Sequence, residues 1–284
     1  MVSRNILEDK MSRAAQSSWL VRKHSSIVLF SFAVAALGAL VAILSGTGYR
    51  LEIWERGFAF TILRYGAGIA GVGGVLCLIV TIISAGLFKG EGFSKSAVAV
   101  LGLVIGAFAF YVPYSMQQTA SSVPPIHDIT TDLENPPEFE AMLALREATS
   151  ATNKAVYLRE VTVGQNIINV PEAQKRAYPD IQPEELWGIS FYEGFDLALA
   201  AAEDMGWTIV AADKERGRIE AWDKTTWYGF IDDMVVRLTP EGIGSVVDIR
   251  SVSRVGVSDV GKNAQRIRAY IKKLKAMKKY SGPP

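Results

Sequence analysis

The sequence predicts three transmembrane α-helices followed by an α+β domain, in which an antiparallel sheet is packed by helices on one face. Three observations carry that prediction. Three long, charge-free apolar runs fall within the first 117 of 284 residues. Residues 1–117 hold 10 Lys/Arg against 5 Asp/Glu, whereas residues 118–284 hold 20 against 24. The chain then ends on helix, four strands and helix. Its mean hydropathy of +0.19 thus averages a basic, greasy region and a mildly acidic, soluble-looking one.

Residues 1–24 form a polar N-terminal segment, expected in the cytoplasm. The apolar runs cover residues 25–46, 65–88 and 96–116, and each reaches the ~20 residues a helix needs to cross the bilayer core. A cleavable signal peptide fits poorly, because the first run is long and two more follow. Arg4, Lys10, Arg13, Arg22 and Lys23 precede the first span, and Lys89 and Lys95 flank the second loop, GEGFS. After the third span no Lys or Arg appears until Arg146. The positive-inside rule puts those basic segments in the cytoplasm and the C-terminal domain outside, in the periplasm of a Gram-negative cell. The first loop, with Arg50, Arg56 and Arg64 beside Glu52 and Glu55, supports this least.

Gly66-Ala67-Gly68-Ile69-Ala70-Gly71 matches the GxGxxG spelling of a dinucleotide loop. Such a loop needs a strand before it and an acid ~20 residues on; here it opens an apolar run. Helix packing explains it better, as it does Ala67/Gly71, Ala70/Gly74 and the GxxxG pair Gly102/Gly106. The expected contacts lie within one chain or between chains.

Residues 118–137 are polar, contain two Pro-Pro pairs and read as an extended linker. His127, Asp128, Asp132 and Glu134 resemble a metal cluster only superficially, since one histidine near acids is ordinary loop chemistry. The α+β domain is expected over residues 138–284. Met142, Leu143 and Leu145 favour a short helix at 138–149. EGFDLALAAAEDM at 193–205 is a strong helix, which Gly206 ends. Strands follow at 207–213, 218–228, 233–239 and 245–254, joined by polar turns. Val260, Ala264, Ile267, Ile271 and Leu274 then make one apolar stripe on a helix over 259–277. The order α-β-β-β-β-α gives the antiparallel sheet with helices on one face, an arrangement like a helix grip.

Alternation separates two sets of strand side chains. Ile219, Ala221, Met234, Val236, Leu238, Val247 and Ile249 form the apolar set, which should face the helices. Arg218, Glu220, Trp222, Lys224, Val235, Arg237, Asp248, Arg250, Val252 and Arg254 form the other, expected as an exposed face. Cross-strand ion pairing on a solvated face would explain it cheaply. The functional reading is a recognition surface, because Arg and Trp favour interfaces and anionic groups. Beside it, SVSRVGVSDVGKNAQRIRAYI at 251–271 turns a strand into a helix: Gly256 turns the chain and Ser258 or Asp259 caps the helix. A helix N-terminus near arginines suits an anion. The candidate binding residues are therefore Trp222, Arg237, Asp248, Arg250, Arg254, Ser258, Asn263 and Arg266, with Arg268 nearby.

FIDDMVVRL, DIRSVSRVG and SDVGKNAQRIR together resemble the bacterial and plastid family known as domain of unknown function 1499. That resemblance is clear over about residues 178–279. PPIHDITTD after three spans is similar to the family's membrane-anchored proteobacterial branch. The resemblance implies an α+β fold and brings no activity, cofactor or catalytic residue.

Composition narrows the function further. A net −4 over residues 118–284 gives no support for nucleic-acid binding. One cysteine, Cys77, and two histidines, His24 and His127, leave no disulfide or Cys-based zinc site and little for His chemistry. No cofactor is implied. The leading expectation is a non-enzymatic inner-membrane protein whose periplasmic domain binds a partner protein, an envelope lipid or another anionic ligand. Membrane lipids, an envelope protein or a second copy of the chain are the expected partners. A hydrolase using Asp232, Asp233 and Asp248 is an alternative, although adjacent strand residues point to opposite faces. A structural subunit of a membrane complex is the third reading.

Overall fold

The computed structural model comprises two compact units, residues 1–115 and 116–284. It describes the backbone of residues 2–87, 93–149 and 151–281, and the side chains of 23–85, 96–149 and 151–279. The side chains of Arg4, Lys10, Arg13, Arg22, Lys89 and Lys95, which carry the expected orientation, lie outside the described residues.

The first unit holds α1 (Val2–Arg50), α2 (Arg56–Leu87) and most of α3 (Phe93–Ser122), whose last residues belong to the second. Lys23–Arg50, Arg56–Ala85 and Ser96–Ser122 are long and apolar enough to cross a membrane. Leu29, Phe30, Leu37, Val72 and Phe108 point outward and are exposed, as side chains facing lipid must be. The first loop is shorter than expected. α2 already starts at Arg56, because RGFAFTILR has no breaker, so Arg56 and Arg64 lie on the helix and only residues 51–55 turn. Trp54 folds back there, its indole N–H donating to the Ser45 carbonyl at 2.9 Å.

The small residues serve packing within the chain. A Cβ at Gly38 would overlap the Ala70 backbone, one at Gly73 that of Ala35, and one at Gly106 that of Ala70 and Gly74. Gly66 and Gly71 of the GxGxxG stretch abut Ala42 and Phe110 in mid-helix.

In the second unit the elements run β1 (Asp128–Thr130), α4 (Met142–Ala148), β2 (Glu160–Val163), β3 (Asn166–Asn169), α5 (Val170–Ala177), β4 (Glu184–Trp187) and α6 (Phe191–Asp204). Then come β5 (Thr208–Asp213), β6 (Arg218–Lys224), β7 (Ile231–Glu241), β8 (Gly244–Ser253) and α7 (Lys262–Ser281). The main sheet has the order β1-β8-β7-β6-β5, β4 also pairs with β8, and every pairing is antiparallel. β2 and β3 form a separate hairpin.

α6 starts with a capping box between Ser190 and Glu193, and Gly206 ends it at φ +77°. α6 and α7 cover one face of the sheet. Ile219, Met234, Val236, Leu238 and Ile249 meet Phe195, Ala198, Ala202, Ala264, Ile267 and Leu274 in one core, as alternation predicts. Trp207 stacks on Tyr270 at 5.0 Å, and the Tyr270 hydroxyl donates to the Ala198 carbonyl at 2.9 Å, joining α7 to α6.

The structure refines two expectations here. The extended linker expected over 118–137 is partly built into other elements: α3 continues to Ser122, and β1 pairs with the end of β8 through Asp128↔Val252 and Thr130↔Arg250. Val260 is not the first residue of the α7 stripe. It sits at φ +55° in the turn before α7, with its N–H held by Ser258 Oγ at 3.2 Å, so the stripe begins at Ala264.

Gly73→Leu should force α1 away from α2 and cost about 1–3 kcal/mol, the usual penalty of over-packing. Gly68→Leu, with nothing within 4 Å of its Cβ, should leave stability unchanged. Thermal unfolding of the detergent-solubilised chain compares the two.

Candidate functional site

The strand registers fix how the candidate residues meet. Arg218, Arg237 and Asp248 form one row across β6, β7 and β8; Glu220, Val235 and Arg250 form the next; Trp222, Asp233 and Val252 form the third. This face was expected in solvent. Instead it is covered: Glu220, Asp233 and Arg250 are 0% exposed and Asp248 and Arg254 about as deeply buried. The cover is the segment at 131–157. Phe139 and Met142 pack on Val235 and Val252, with Trp222 half-buried against them.

Charge pins the cover in place. α4 has no side-chain cap of its own. Glu220, from the sheet beneath, accepts the backbone N–H groups of Glu140, Ala141 and Met142 at 2.8, 3.2 and 2.8 Å. A carboxylate at a helix N-terminus satisfies the free donors and meets the favourable end of the peptide dipoles. Arg218 Nε completes Glu220 at 2.9 Å. At the other end of α4, Asp233 receives both Arg146 and Arg254, and Arg254 also reaches Thr149 Oγ1 at 2.7 Å. Burial pulls the Arg146 guanidinium below its ordinary value, against the opposing pull of Asp233.

Arg250 is the most heavily tied of these residues. Its Nε and Nη2 donate to the two oxygens of Asp128 at 2.8 and 2.7 Å. Nη1 donates to the Pro137 carbonyl at 3.1 Å and Nη2 also to that of Ala155 at 2.8 Å. The rings of Phe139 and Tyr157 flank the guanidinium at 5.1 and 5.4 Å. Arg237 is shared between Asp132 and Asp248 at 3.0 and 2.7 Å.

Ser258, Asn263 and Arg266 belong to a different cluster, on the opposite side of the sheet. Asn263 Oδ1 accepts from Ser251 Oγ and Arg266 Nη1, both at 2.7 Å. Its Nδ2 donates to the His127 carbonyl at 2.8 Å. Arg266 Nη2 pairs with Asp232 at 2.7 Å. Asp259 caps α7, accepting the N–H groups of Gly261 and Asn263 at 2.8 Å each. The anion expected at this helix N-terminus is thus the chain's own carboxylate. Burial lifts the Asp259 carboxyl to about 6, against those two hydrogen bonds.

The eight candidates therefore divide between two sides of the sheet. The alternative hydrolase carboxylates fare similarly: Asp232 goes to Arg266, Asp233 to Arg146 and Arg254, and Asp248 to Arg237 and Thr131. They do not converge. Asp128 and Asp132 are engaged by arginines, His127 Nδ1 lies 3.3 Å from the Val257 carbonyl, and among the described residues no three His, Cys, Asp or Glu form a metal-holding group.

A separate concentration of positive charge lies on α7. That helix holds eight Lys/Arg and no acid, while the rest of residues 118–284 holds 12 Lys/Arg against 24 Asp/Glu. Lys262, Arg268, Lys272, Lys275 and Lys279 are exposed along it. Sequence reasoning passed over this segregation because it weighed charge only across the whole region. It also passed over Glu220, Arg146 and Asp128 as partners, which sit many residues from the groups they bind.

Fold and site together define an α+β domain that follows three long apolar helices in the chain, with buried ion pairs in its interior and a basic outer helix. The chain belongs to the family described as Protein of unknown function (DUF1499), which it matches over residues 128–274. The match thus begins at Asp128, the partner of Arg250, well before the stretch that carries the visible resemblance. No curated protein matches the chain.

Arg250→Met strands Asp128 without a counter-charge and should destabilise the domain by about 3–5 kcal/mol. Adding Asp128→Leu should recover part of the loss, as read from denaturant titration of tryptophan fluorescence in the solubilised chain. A second expectation concerns pH. Because folded Asp259 holds its proton more tightly than the unfolded chain does, the domain loses stability as pH rises through the window from the ordinary carboxylate range to about 6. Asp259→Asn abolishes that titration. Between about pH 4 and about pH 7 the stability difference should therefore shift in favour of the variant.

Proposed function

We propose that this chain is an inner-membrane protein of the membrane-anchored proteobacterial branch of its family, with a cytoplasmic N-terminus and a periplasmic C-terminal domain. In this reading the domain is a non-catalytic binding module for an anionic group, carried by an envelope lipid or a partner protein. The distribution of Lys and Arg around the apolar runs supports the orientation.

The observation that carries the binding role is the division of charge. Interior arginines and carboxylates neutralise one another, whereas Lys262, Lys272, Lys278 and Lys279 of α7 have no carboxylate partner among the described residues. A basic outer helix on an otherwise acidic domain attracts anions from solution and steers them to one side. The binding surface moves accordingly from the covered sheet face to α7.

A photo-crosslinking residue in place of the exposed Gln265 tests this in intact membranes. Discrete adducts are expected from the wild-type background and should disappear with Lys272→Glu/Lys279→Glu. Adducts indifferent to that charge reversal would refute the binding role of α7.

A further inference from the structure

We infer that the exposed side of α7 is a docking surface for the phosphate headgroups of anionic glycerophospholipids in the chain's own bilayer. This rests on the reading of α7 as the binding surface and commits it to one occupant.

A groove of about 270 Å³ runs between α7 and the turn at 178–181, lined by Ile181 and Ile271 together with Asp180, Arg268, Lys272 and Lys275. The three cations follow one another at i, i+4 and i+7, so they share one side of the helix, and Lys279 continues the row. Two of them are held in place. Arg268 is bound by both oxygens of Asp180 at 2.6 and 2.7 Å and lies across the Tyr178 ring at 5.4 Å. Lys275 reaches Glu184 at 2.8 Å. Lys272 stands between them without a carboxylate partner among the described residues, one helical turn from each. The result is one uncommitted ammonium set between two ion-paired cations, beside the apolar side chains of Ile181 and Ile271. That combination suits the headgroup boundary of a bilayer, where phosphate and hydrocarbon meet.

Two features favour lipid over an acidic protein. Three helices apolar enough to cross a membrane keep a bilayer permanently at hand. Only five residues separate the end of α3 at Ser122 from the start of β1 at Asp128. A tether of five residues spans less than ~20 Å, so the domain meets the bilayer's lipids at high effective concentration. The end of that tether is fastened to the start of α7: the Asp259 N–H donates to the Ile126 carbonyl at 3.2 Å and Asn263 Nδ2 to that of His127 at 2.8 Å.

The test uses the full chain in nanodiscs, with Cys77→Ser and a donor fluorophore on Ala276→Cys, an exposed α7 position outside the cation row. The acceptor is a headgroup-labelled lipid. Discs of phosphatidylcholine alone are compared with discs that also contain phosphatidylglycerol. Energy transfer should rise severalfold with phosphatidylglycerol, fall back in high salt, and be lost in Lys272→Glu/Lys279→Glu but kept in Lys272→Arg/Lys279→Arg. Neither lysine has an internal carboxylate partner among the described residues, so the reversal leaves the fold intact. Equal transfer in both kinds of disc overturns the proposal. So does full displacement by inorganic phosphate, which would mark a site for one free anion. If transfer is equal while the Gln265 crosslinker still yields charge-dependent protein adducts, lipid docking falls and the binding role of α7 stands. If both fail, both readings fall.

Discussion

A guanidinium removed from water loses far more hydration than any single contact returns, so it tolerates full burial only when nearly all its donors are met. Arg250 meets that condition by drawing on three separate pieces of chain: the Asp128 carboxylate of β1 and the carbonyls of Pro137 and Ala155. Much else follows from this demand. β1 has to lie beside the end of β8, and the segment at 131–157 has to cross the sheet for its carbonyls to reach in. Once it crosses, Phe139 and Met142 gain an apolar bed on Val235 and Val252. Glu220 then becomes the cap of a helix from another part of the chain.

The charged groups of this face are spent on contacts within the domain. Each buried carboxylate in the domain answers to an arginine or to a helix end, and the three aspartates best suited by type to hydrolysis are held in separate places. On the exterior charge is sorted: α7 carries cations without acids, and the acids dominate elsewhere.

Much of the architecture was legible in the sequence because it rests on local periodicity. The three apolar runs, the four long strands, α6 with its terminal Gly206 and the stripe of α7 from Ala264 onward are all encoded by spacing. The apolar set on β6, β7 and β8 identified the helix-bearing face. Alternation distinguishes two faces but does not say which meets water, and that is where the reading of the candidate site failed. A clue was present: Val235, Val252 and Trp222 are too apolar for an open face, and Arg250 among them signals a buried charge. Its partner lay out of reach, since Asp128 precedes Arg250 by 122 residues and sat in a stretch whose prolines suggest a linker. The short pieces β2, β3, β4 and α5 gave no periodic signal long enough to read. The strained Val260, at φ +55°, looked helical because its spacing from Ala264 fits.

The span between Asp128 and Arg250 also sets an order of events as the chain is made. The three apolar helices and the segment at 131–157 leave the ribosome first, and β8 follows near the end. Until it does, β1 has no neighbour to pair with, Asp128 has no counter-ion, and Phe139 and Met142 lack the Val252 part of their bed. Contacts so distant in sequence form late and slowly, because closing the loop costs entropy before any contact repays it. The domain is therefore built to close in one late step, with its opening segment waiting on its last strand.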